Sequence, residues 1–148
     1  MARFRFRLKT LRRLREIHRD EQRGRLATAF EAERILQQQR DELAAEAAEH
    51  LQSQRRAMQE GPIDVNWLLT TQRYQLALEA QAKVLADQAA KLAEEVERRR
   101  QALVEADREV RVLDKLEERQ RTQHRLMAAQ AETKLLDEVA SVRWEGHD

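Results

Sequence analysis

The sequence predicts an all-α protein in which two long helices fold back on each other as an antiparallel coiled-coil hairpin. Of its 148 residues, 37% are charged and only 4% are aromatic, a composition typical of long helices. Glycine and proline are rare, and the only clear helix break lies at residues 60–64. Between Leu78 and Leu113, apolar residues recur in alternating steps of four and three, the period of roughly 3.5 residues with which a helix supercoils around a partner.

The first helix is expected to span residues 2–59, within a single domain of residues 1–148. Residues 4–8 alternate apolar and basic side chains as a strand would, but no other segment offers a strand for pairing, so we expect them to be helical. Arg40 and Gln54 interrupt the contact face. The apolar residues predicted on this face are Phe4, Leu8, Leu11, Leu14 or Ile17, Ala29, Leu36, Leu43, Ala47, Leu51 and Met58.

The turn is expected at residues 60–64. Gly61 suits the left-handed residue after a helix C-terminus, and Pro62 cannot continue a helix. Asp64 is a good N-cap for the next helix, because its carboxylate can accept hydrogen bonds from free backbone N–H groups. A short connection between long helices returns the chain antiparallel, so residue i should face about residue 123 − i.

The second helix is expected to span residues 65–141 and to overhang its partner at the C-terminal end, beyond about Gln120. An amphipathic helix without a partner is either frayed or a docking element. The overhang carries Met127, Leu135, Leu136, Val139 and Val142 at helical spacing. The contact face before it, here called the second-helix seam, consists of Leu78, Ala82, Leu85, Ala89, Leu92, Val96, Arg99, Leu103, Ala106, Val110 and Leu113.

Arg99 is the one charged residue of the second-helix seam. The hairpin register places it opposite about residue 24, where Gly24 leaves room for its side chain. Asp20 or Glu21 lies within one turn of that position and should pair with the guanidinium.

Charge is unevenly distributed along the chain. Residues 1–25 contain ten basic and three acidic groups, a net charge of +7, whereas the remainder contains 18 basic and 24 acidic groups, a net charge of −6. The basic end suits an anionic partner, which could be an acidic protein surface, lipid headgroups or nucleic acid. Nucleic acid is disfavoured because the basic stretch lacks the interleaved aromatic residues on which bases stack.

The composition also limits the compartment. There is no cysteine, and therefore no disulfide or thiolate chemistry. No apolar run approaches the length of about 18 residues that a membrane-spanning helix needs. The arginines near the N-terminus are not followed by the apolar stretch of a secretory signal. We therefore expect a cytoplasmic protein.

No residue pattern predicts catalysis or a cofactor. The histidines His18, His50, His124 and His147 lack the spacing of metal ligands. Adjacent carboxylates at 94–95 and 117–118 should form a solvated face, because two packed helices offer no closed pocket. A glycine-rich phosphate loop is also missing. The prediction is a non-enzymatic protein with no catalytic, cofactor or metal residues and no small-molecule substrate.

Two aromatic residues near the turn have two interpretations. Trp67 and Tyr74 are seven residues apart, each one position before a contact position of the second helix. They could pack across the seam onto the first helix. They could also form a half-exposed docking stripe, since large aromatic side chains often anchor interfaces.

The chain resembles the FliJ family of flagellar export components. The similarity lies in the opening residues Phe4 to Leu11 with Leu14-Arg15-Glu16, in Leu103, Ala106, Leu113 to Leu116 and Glu118-Arg119, and in the ending Glu132 to Ala140 with Arg143. It covers nearly the whole chain in order, although residues 20–100 match little beyond the pattern.

The resemblance implies an antiparallel coiled coil of the flagellar type III export apparatus, similar to the central stalk of rotary ATPases. Its implied partners are the hexameric export ATPase, the ATPase regulator, the export gate protein and the export chaperones. It would lie in the cytoplasm at the inner face of the inner membrane, at the flagellar base, attached only peripherally through the apparatus. The free chain would be a monomer.

By the same analogy, one group of residues would contact the ATPase ring, and Trp67 and Tyr74 would contact the gate or another export component. The other hypotheses are a nucleic-acid-binding helical hairpin and a generic coiled coil that homodimerises through the overhang. The predicted ring-binding residues are Arg3, Arg5, Arg7, Lys9, Arg12, Arg13, Leu126, Leu135, Asp137 and Glu138.

Overall fold

The computed structural model describes residues 2–146 and consists of two helices. Helix α1 spans Lys9–Glu60, which is 52 residues, and helix α2 spans Val65–Glu145, which is 81 residues. No strand occurs within residues 2–146. The two helices pack against each other, so the predicted all-α hairpin is confirmed.

The connection between the helices follows the predicted turn. The backbone N–H of Asn66 donates to Asp64 Oδ1 at 3.2 Å, and the N–H of Leu68 donates to the Asp64 carbonyl at 3.1 Å. Asp64 is therefore the N-cap of α2, as predicted. Gly61 follows directly after α1, but its φ of 159° differs from the value of about +57° that defines the predicted left-handed conformation.

Helix α1 begins at Lys9 and not at residue 2, so the helical prediction for residues 2–8 was wrong. Phe4 and Phe6 are both half-buried, whereas Arg3, Arg5 and Arg7 are exposed. A burial period of two residues requires a non-helical chain, because a helix would turn Phe6 about 200° away from Phe4. At the other end, α2 continues four residues beyond the predicted position 141.

The chain divides into two compact units, and the first comprises residues 22–103. Its core contains Leu26, Ala29 and Val96, with Leu103 packed against them. The predicted register holds within one residue: Arg99 contacts the backbone of Arg25, and Tyr74 contacts His50. The other buried residues of this unit are Gln22, Leu36, Leu43, Thr71 and Leu78.

Arg99 lies in the seam of this unit, as predicted, but with different partners. Its Nε donates to Glu95 Oε1 at 2.8 Å, and its Nη1 donates to the backbone carbonyl of Arg25 at 2.7 Å. Glu95 supplies the carboxylate in place of the predicted Asp20 or Glu21, because it lies one turn away on the same helix. The space beside Gly24 is open, as expected.

The contact face of α1 near the turn differs from the predicted one. Leu51 and Met58 were expected to be covered, yet they are 41% and 45% exposed. Gln54 is half-buried, so this polar residue does occupy a contact position. A strict seven-residue repeat explains the difference. Counting in sevens from Leu43 leads to His50 and Ala57, each one residue before the predicted Leu51 and Met58. The covered positions along this repeat are Leu36, Leu43, His50 and Ala57.

The second unit comprises residues 2–21 and 104–146 of the described chain. Ala106, Val110 and Leu113 are buried on α2. The α1 residues predicted to cover them, Leu14 and Ile17, are 59% and 41% exposed. The half-buried residues on this part of α1 are Arg12, Glu16 and Arg19.

Ion pairs between the helices hold two arginines of α1 in the second unit, of which Arg12 is half-buried and Arg15 is exposed. Arg12 pairs with Glu117 and lies 3.7 Å from Asp114, and Arg15 pairs with Glu109 at 3.0 Å. These carboxylates flank the buried residues of α2 in sequence. We infer that the methylene stems of the arginines cover the apolar residues while the guanidinium groups reach the acids at the edge.

The overhang of α2 is confirmed, but it begins after Ala128 and not at about Gln120, since Phe4 still contacts His124. The last half-buried residue is Ala128, and every described residue after it, through Gly146, is exposed. The helix nevertheless continues to Glu145.

Candidate interaction surfaces

The cationic segment, defined as residues 3–9, is held against α2 by aromatic residues. The ring of Phe4 lies 5.7 Å from the ring of His124 and 5.5 Å from the Arg121 guanidinium. The guanidinium of Arg12 lies over Phe6 at 5.5 Å. Cation–π contacts of this kind fix the apolar side of the segment. Four exposed cations on the segment have no ion-pair partner within residues 2–146: Arg3, Arg5, Arg7 and Lys9.

Arg12 and Arg13 were predicted to bind the same partner, but the structure gives them different roles. The Arg12 side chain is only 22% exposed and is paired with Glu117, so it stabilises the packing of α1 on α2. The Arg13 side chain is 70% exposed and pairs with Glu16 of its own helix, at 3.5 Å. Arg13 is therefore available to a partner, whereas Arg12 is available only if its ion pairs break.

The predicted residues of the overhang do not all share one face. Leu126 and Leu135 are 59% and 62% exposed, but they are nine residues apart and so lie on opposite sides of the helix. Asp137 is likewise turned away from Leu135, whereas Glu138 borders the same side. One face carries what we call the overhang stripe: Ala128, Ala131, Leu135, Val139 and Val142.

The cationic segment and the beginning of the overhang lie together. The contacts of Phe4 with His124 and Arg121 place residues 3–9 beside the last covered turns of α2. Exposed cations and an exposed apolar helix face therefore occur in the same unit. The sequence alone did not predict this anchoring, since it requires the non-helical course of residues 2–8.

Near the turn, Tyr74 reaches across to α1 and is also partly exposed. Its hydroxyl donates to Glu46, its ring meets that of His50 edge-on at 4.7 Å, and 42% of the residue remains exposed. Nε2 of His50 lies 3.2 Å from the carbonyl oxygen of Thr71. The hydrogen bond to Glu46 raises the pKa of Tyr74, since it stabilises the protonated phenol. Trp67 is half-buried. The packing interpretation and the docking interpretation are thus compatible for Tyr74.

One carboxylate of each adjacent pair, Glu95 and Glu117, is engaged in ion pairs. Hydrogen bonds from Arg98 and then Arg99 lower the pKa of Glu95, which is the opposite of the shift that a general acid needs. Glu117 pairs with Arg12 and also with Arg121, at 3.0 Å. Residues 2–146 contain no cluster of histidine and acidic residues that could hold a metal ion, and His147 lies outside the described residues.

Two grooves beside the seam were not predicted. They lie on either side of Leu43 and Leu85, with volumes of about 510 and 470 Å³. A sequence signal for them exists, because small side chains occur on both helices at this level and leave the seam underfilled. These are Ala44, Ala47, Ala48, Ala80 and Ala82.

A comparison with models of protein families shows which family this chain belongs to. The family model described as "Flagellar FliJ protein" matches residues 4–147. The chain belongs to the FliJ family. No curated protein and no solved structure matches it. The resemblance in the opening and closing motifs is thereby confirmed over almost the whole chain.

Membership of the FliJ family makes the chain a component of the flagellar export apparatus. The family is a non-catalytic one, in keeping with the ion-paired carboxylates. Over the described residues 2–146, neither helix of this FliJ-family chain is long and apolar enough to cross a membrane.

Proposed function

We propose that the chain is a stalk and adaptor of flagellar protein export that binds the export ATPase ring and the export gate and assists export chaperones. Its place would be the cytoplasm, at the inner face of the inner membrane beneath the flagellum. The ATPase regulator would be a further partner. The hairpin would position two separate binding surfaces and would itself catalyse nothing.

The observation that carries this proposal is the combination of free cations and an unpartnered helix face in one unit. Arg3, Arg5 and Arg7 are exposed beside an overhang whose apolar stripe is exposed from Ala131 to Val142. A solvated helix has no need of such a stripe, and an amphipathic helix without a partner is a typical docking element. Cations next to it would favour encounter with an acidic protein surface. We assign this unit to the ATPase ring.

The surface near the turn is assigned to the gate or another export component. Tyr74 and Trp67 provide partly exposed aromatic area held in place by the hairpin, with Tyr74 fixed by Glu46 and His50. Rigid aromatic residues of this kind are frequent anchors of protein interfaces. Replacing both by alanine should weaken gate binding while the helicity stays the same.

Nucleic acid remains the less favoured partner. Phe4 and Phe6, the aromatic residues of the cationic segment, are already engaged by His124, Arg121 and Arg12. They are not free to stack on bases, which is a main source of affinity for single strands.

The test is capture of the export ATPase hexamer from native cells by the tagged full chain. Replacing Arg3, Arg5 and Arg7 with glutamine should lower ATPase recovery at least about fivefold, since each lost ionic contact weakens a charge-assisted interface. The matched control replaces the exposed Arg55, Arg56 and Arg73 of the other unit, which removes the same charge. Equal recovery by both variants would contradict the assignment, and so would absence of the ATPase from the unmodified capture.

A further inference from the structure

The apolar stripe of the overhang is out of phase with the second-helix seam. Continuing the seam in steps of seven from Leu113 leads to Met127, which is 63% exposed, while the half-buried residue is its neighbour Ala128. Ala128, Leu135 and Val142 repeat every seven residues, one position later than the seam. Val139 likewise lies one position after the seam series that runs through Val110, whereas Ala131 continues that series. Most of the stripe therefore follows a second heptad pattern, and of its residues only Ala128 is half-buried within the described chain.

We propose that the overhang stripe binds a second copy of the same chain, antiparallel, with Leu135 facing Leu135 of the second copy. In this register residue i faces residue 270 − i, so Ala128 faces Val142 and Ala131 faces Val139. The layers on either side of the central Leu135 pair then combine a small side chain with a branched one, which fills the space evenly. A parallel, in-register pair would put Ala128 against Ala128 and Val142 against Val142, leaving one layer underfilled and crowding another.

Charges at the edge of the stripe also favour the antiparallel pairing. Lys134 and Glu138 border the stripe on the same side of α2, and both are exposed. In an antiparallel two-fold pair, edge residues of the same side meet across the interface. Lys134 of each copy therefore lies within a turn of Glu138 of the other, and symmetry provides this contact twice.

The size of the surface predicts a weak dimer. Leu135, Val139 and Val142 are 62%, 50% and 68% exposed, and each would bury on the order of 60–120 Å² of apolar area. With the flanking side chains, two copies would bury about 1,000 Å², the lower limit for a specific interface. The chain is then a monomer when dilute, as expected from sequence, and a dimer at high concentration.

Such a dimer would regulate docking. Leu135 and Glu138 also belong to the surface assigned to the ATPase ring, so a second copy and the ring would compete for it. This consequence rests on the proposed function, whereas the dimer itself does not. The competing pair would keep the apolar stripe covered when no ring is present.

The first test is sedimentation of the full chain alone between about 1 and 500 μM, a range suited to a small interface. Dimer should form at the upper end. Leu135→Asp should weaken association at least about tenfold, because it places a charge in the central layer. Leu126→Asp is the matched control: Leu126 is similarly exposed but lies on the opposite side of the helix, and association should be unchanged. A monomer throughout the range, or equal effects of both substitutions, would overturn the proposal.

The second test fixes the orientation. The chain has no cysteine, so any disulfide that forms must join introduced cysteines and shows which positions lie close together. Chains carrying Ala128→Cys and chains carrying Val142→Cys should form a mixed disulfide when combined and oxidised, and little homodisulfide when oxidised separately. The opposite result would indicate a parallel pair and refute the proposed register. Lys134→Glu and Glu138→Lys should each weaken the dimer about two- to fivefold, and the double variant should restore it; failure of that restoration would also count against the pairing.

Discussion

The two units of the hairpin use different chemistry to hold the same two helices. In residues 22–103, Leu26, Ala29 and Val96 form an apolar cluster. In residues 2–21 with 104–146, Val110 is just as buried, but the neighbouring residues of α1 are arginines whose guanidinium groups pair with acids of α2. Both units also expose apolar side chains, such as Leu51 and Met58 in the first and Leu14 and Leu135 in the second. In the second unit these residues lie in the same unit as the exposed cations of the cationic segment.

This difference separates scaffold from binding surface. The cluster of Leu26, Ala29 and Val96 is buried within the chain, so it contributes to stability without any partner. In the second unit, Leu14 and Ile17 of α1 are exposed, in addition to most of the overhang stripe. Exposed apolar residues beside cations are a feature of docking surfaces. The proposed binding of the export ATPase ring therefore falls on the unit whose internal packing is more polar.

The largest expected effect compares one aspartate placed in each seam. Val96→Asp puts a charge among Leu26 and Ala29, where Arg99, one turn along α2, is already held by Glu95 and the Arg25 carbonyl, and should cost about 3–5 kcal/mol of unfolding free energy. Val110→Asp should cost roughly half as much, since Arg12 and Arg15 lie close enough to pair with the new carboxylate. Thermal and urea unfolding followed by circular dichroism would measure both.

Val104→Asp is the control for these two variants, because Val104 is 50% exposed and should tolerate the charge. Amide hydrogen exchange would show which unit each variant weakens. Equal losses at Val96 and Val110 would break the comparison, as they would show that the arginines do not compensate a charge in the second unit.

The sequence predicted the architecture well and the details of the second unit poorly. Period, break and N-cap are local or regular signals, so the hairpin, its register and Asp64 followed from them. The positions of Leu14 and Ile17 did not, because assigning apolar residues to the seam ignored that a long arginine can cover an apolar neighbour and still reach an acid. Residues 2–8 were misassigned for a similar reason: only the contacts of Phe4 with His124 and Arg121 decide their course.

The candidate interaction surfaces also contain residues that the sequence could identify and contacts that it could not. Exposure of Leu135, Glu138 and the arginines near the N-terminus follows from heptad phase and charge, so the sequence could identify them. Helical spacing also shows that Leu126 faces away from Leu135. The prediction that both bind the ATPase ring did not take this spacing into account. The pairing of Arg12 with Glu117 required the three-dimensional register of the two helices.

A smaller expected effect is the salt dependence of the coupling between Arg12 and Glu117. A double-mutant cycle of Arg12→Ala and Glu117→Ala should give a coupling of about 1 kcal/mol at low ionic strength, at the upper end for partly exposed pairs. In about 1 M salt the coupling should fall by more than half, since the screening length is then near 3 Å. Amide hydrogen exchange of residues 104–120 would measure how this coupling changes with salt. Leu26→Ala is the comparison in the apolar unit, and its cost should not decrease with salt. A salt-insensitive coupling would mean that packing of the arginine stem dominates.

The smallest expected effect is a pH dependence within the apolar unit. Hydrogen bonds from Arg98 and Arg99 lower the pKa of Glu95 in the folded chain. A carboxyl whose folded pKa lies below its unfolded value stabilises the fold above the unfolded pKa, and this contribution is lost as pH falls through the folded pKa. Acid unfolding of the Glu95→Gln variant should therefore begin from a lower stability at neutral pH and depend less steeply on pH below about 4.3. Glu97→Gln, an exposed neighbour with no ion pair among the described residues, is the control and should behave as the unmodified chain. Because Arg99 also donates to the Arg25 carbonyl, part of the stability lost in Glu95→Gln should reflect a looser Arg99 and persist at every pH. An unchanged acid profile would show that the arginines pair with Glu95 without favouring its ionised form.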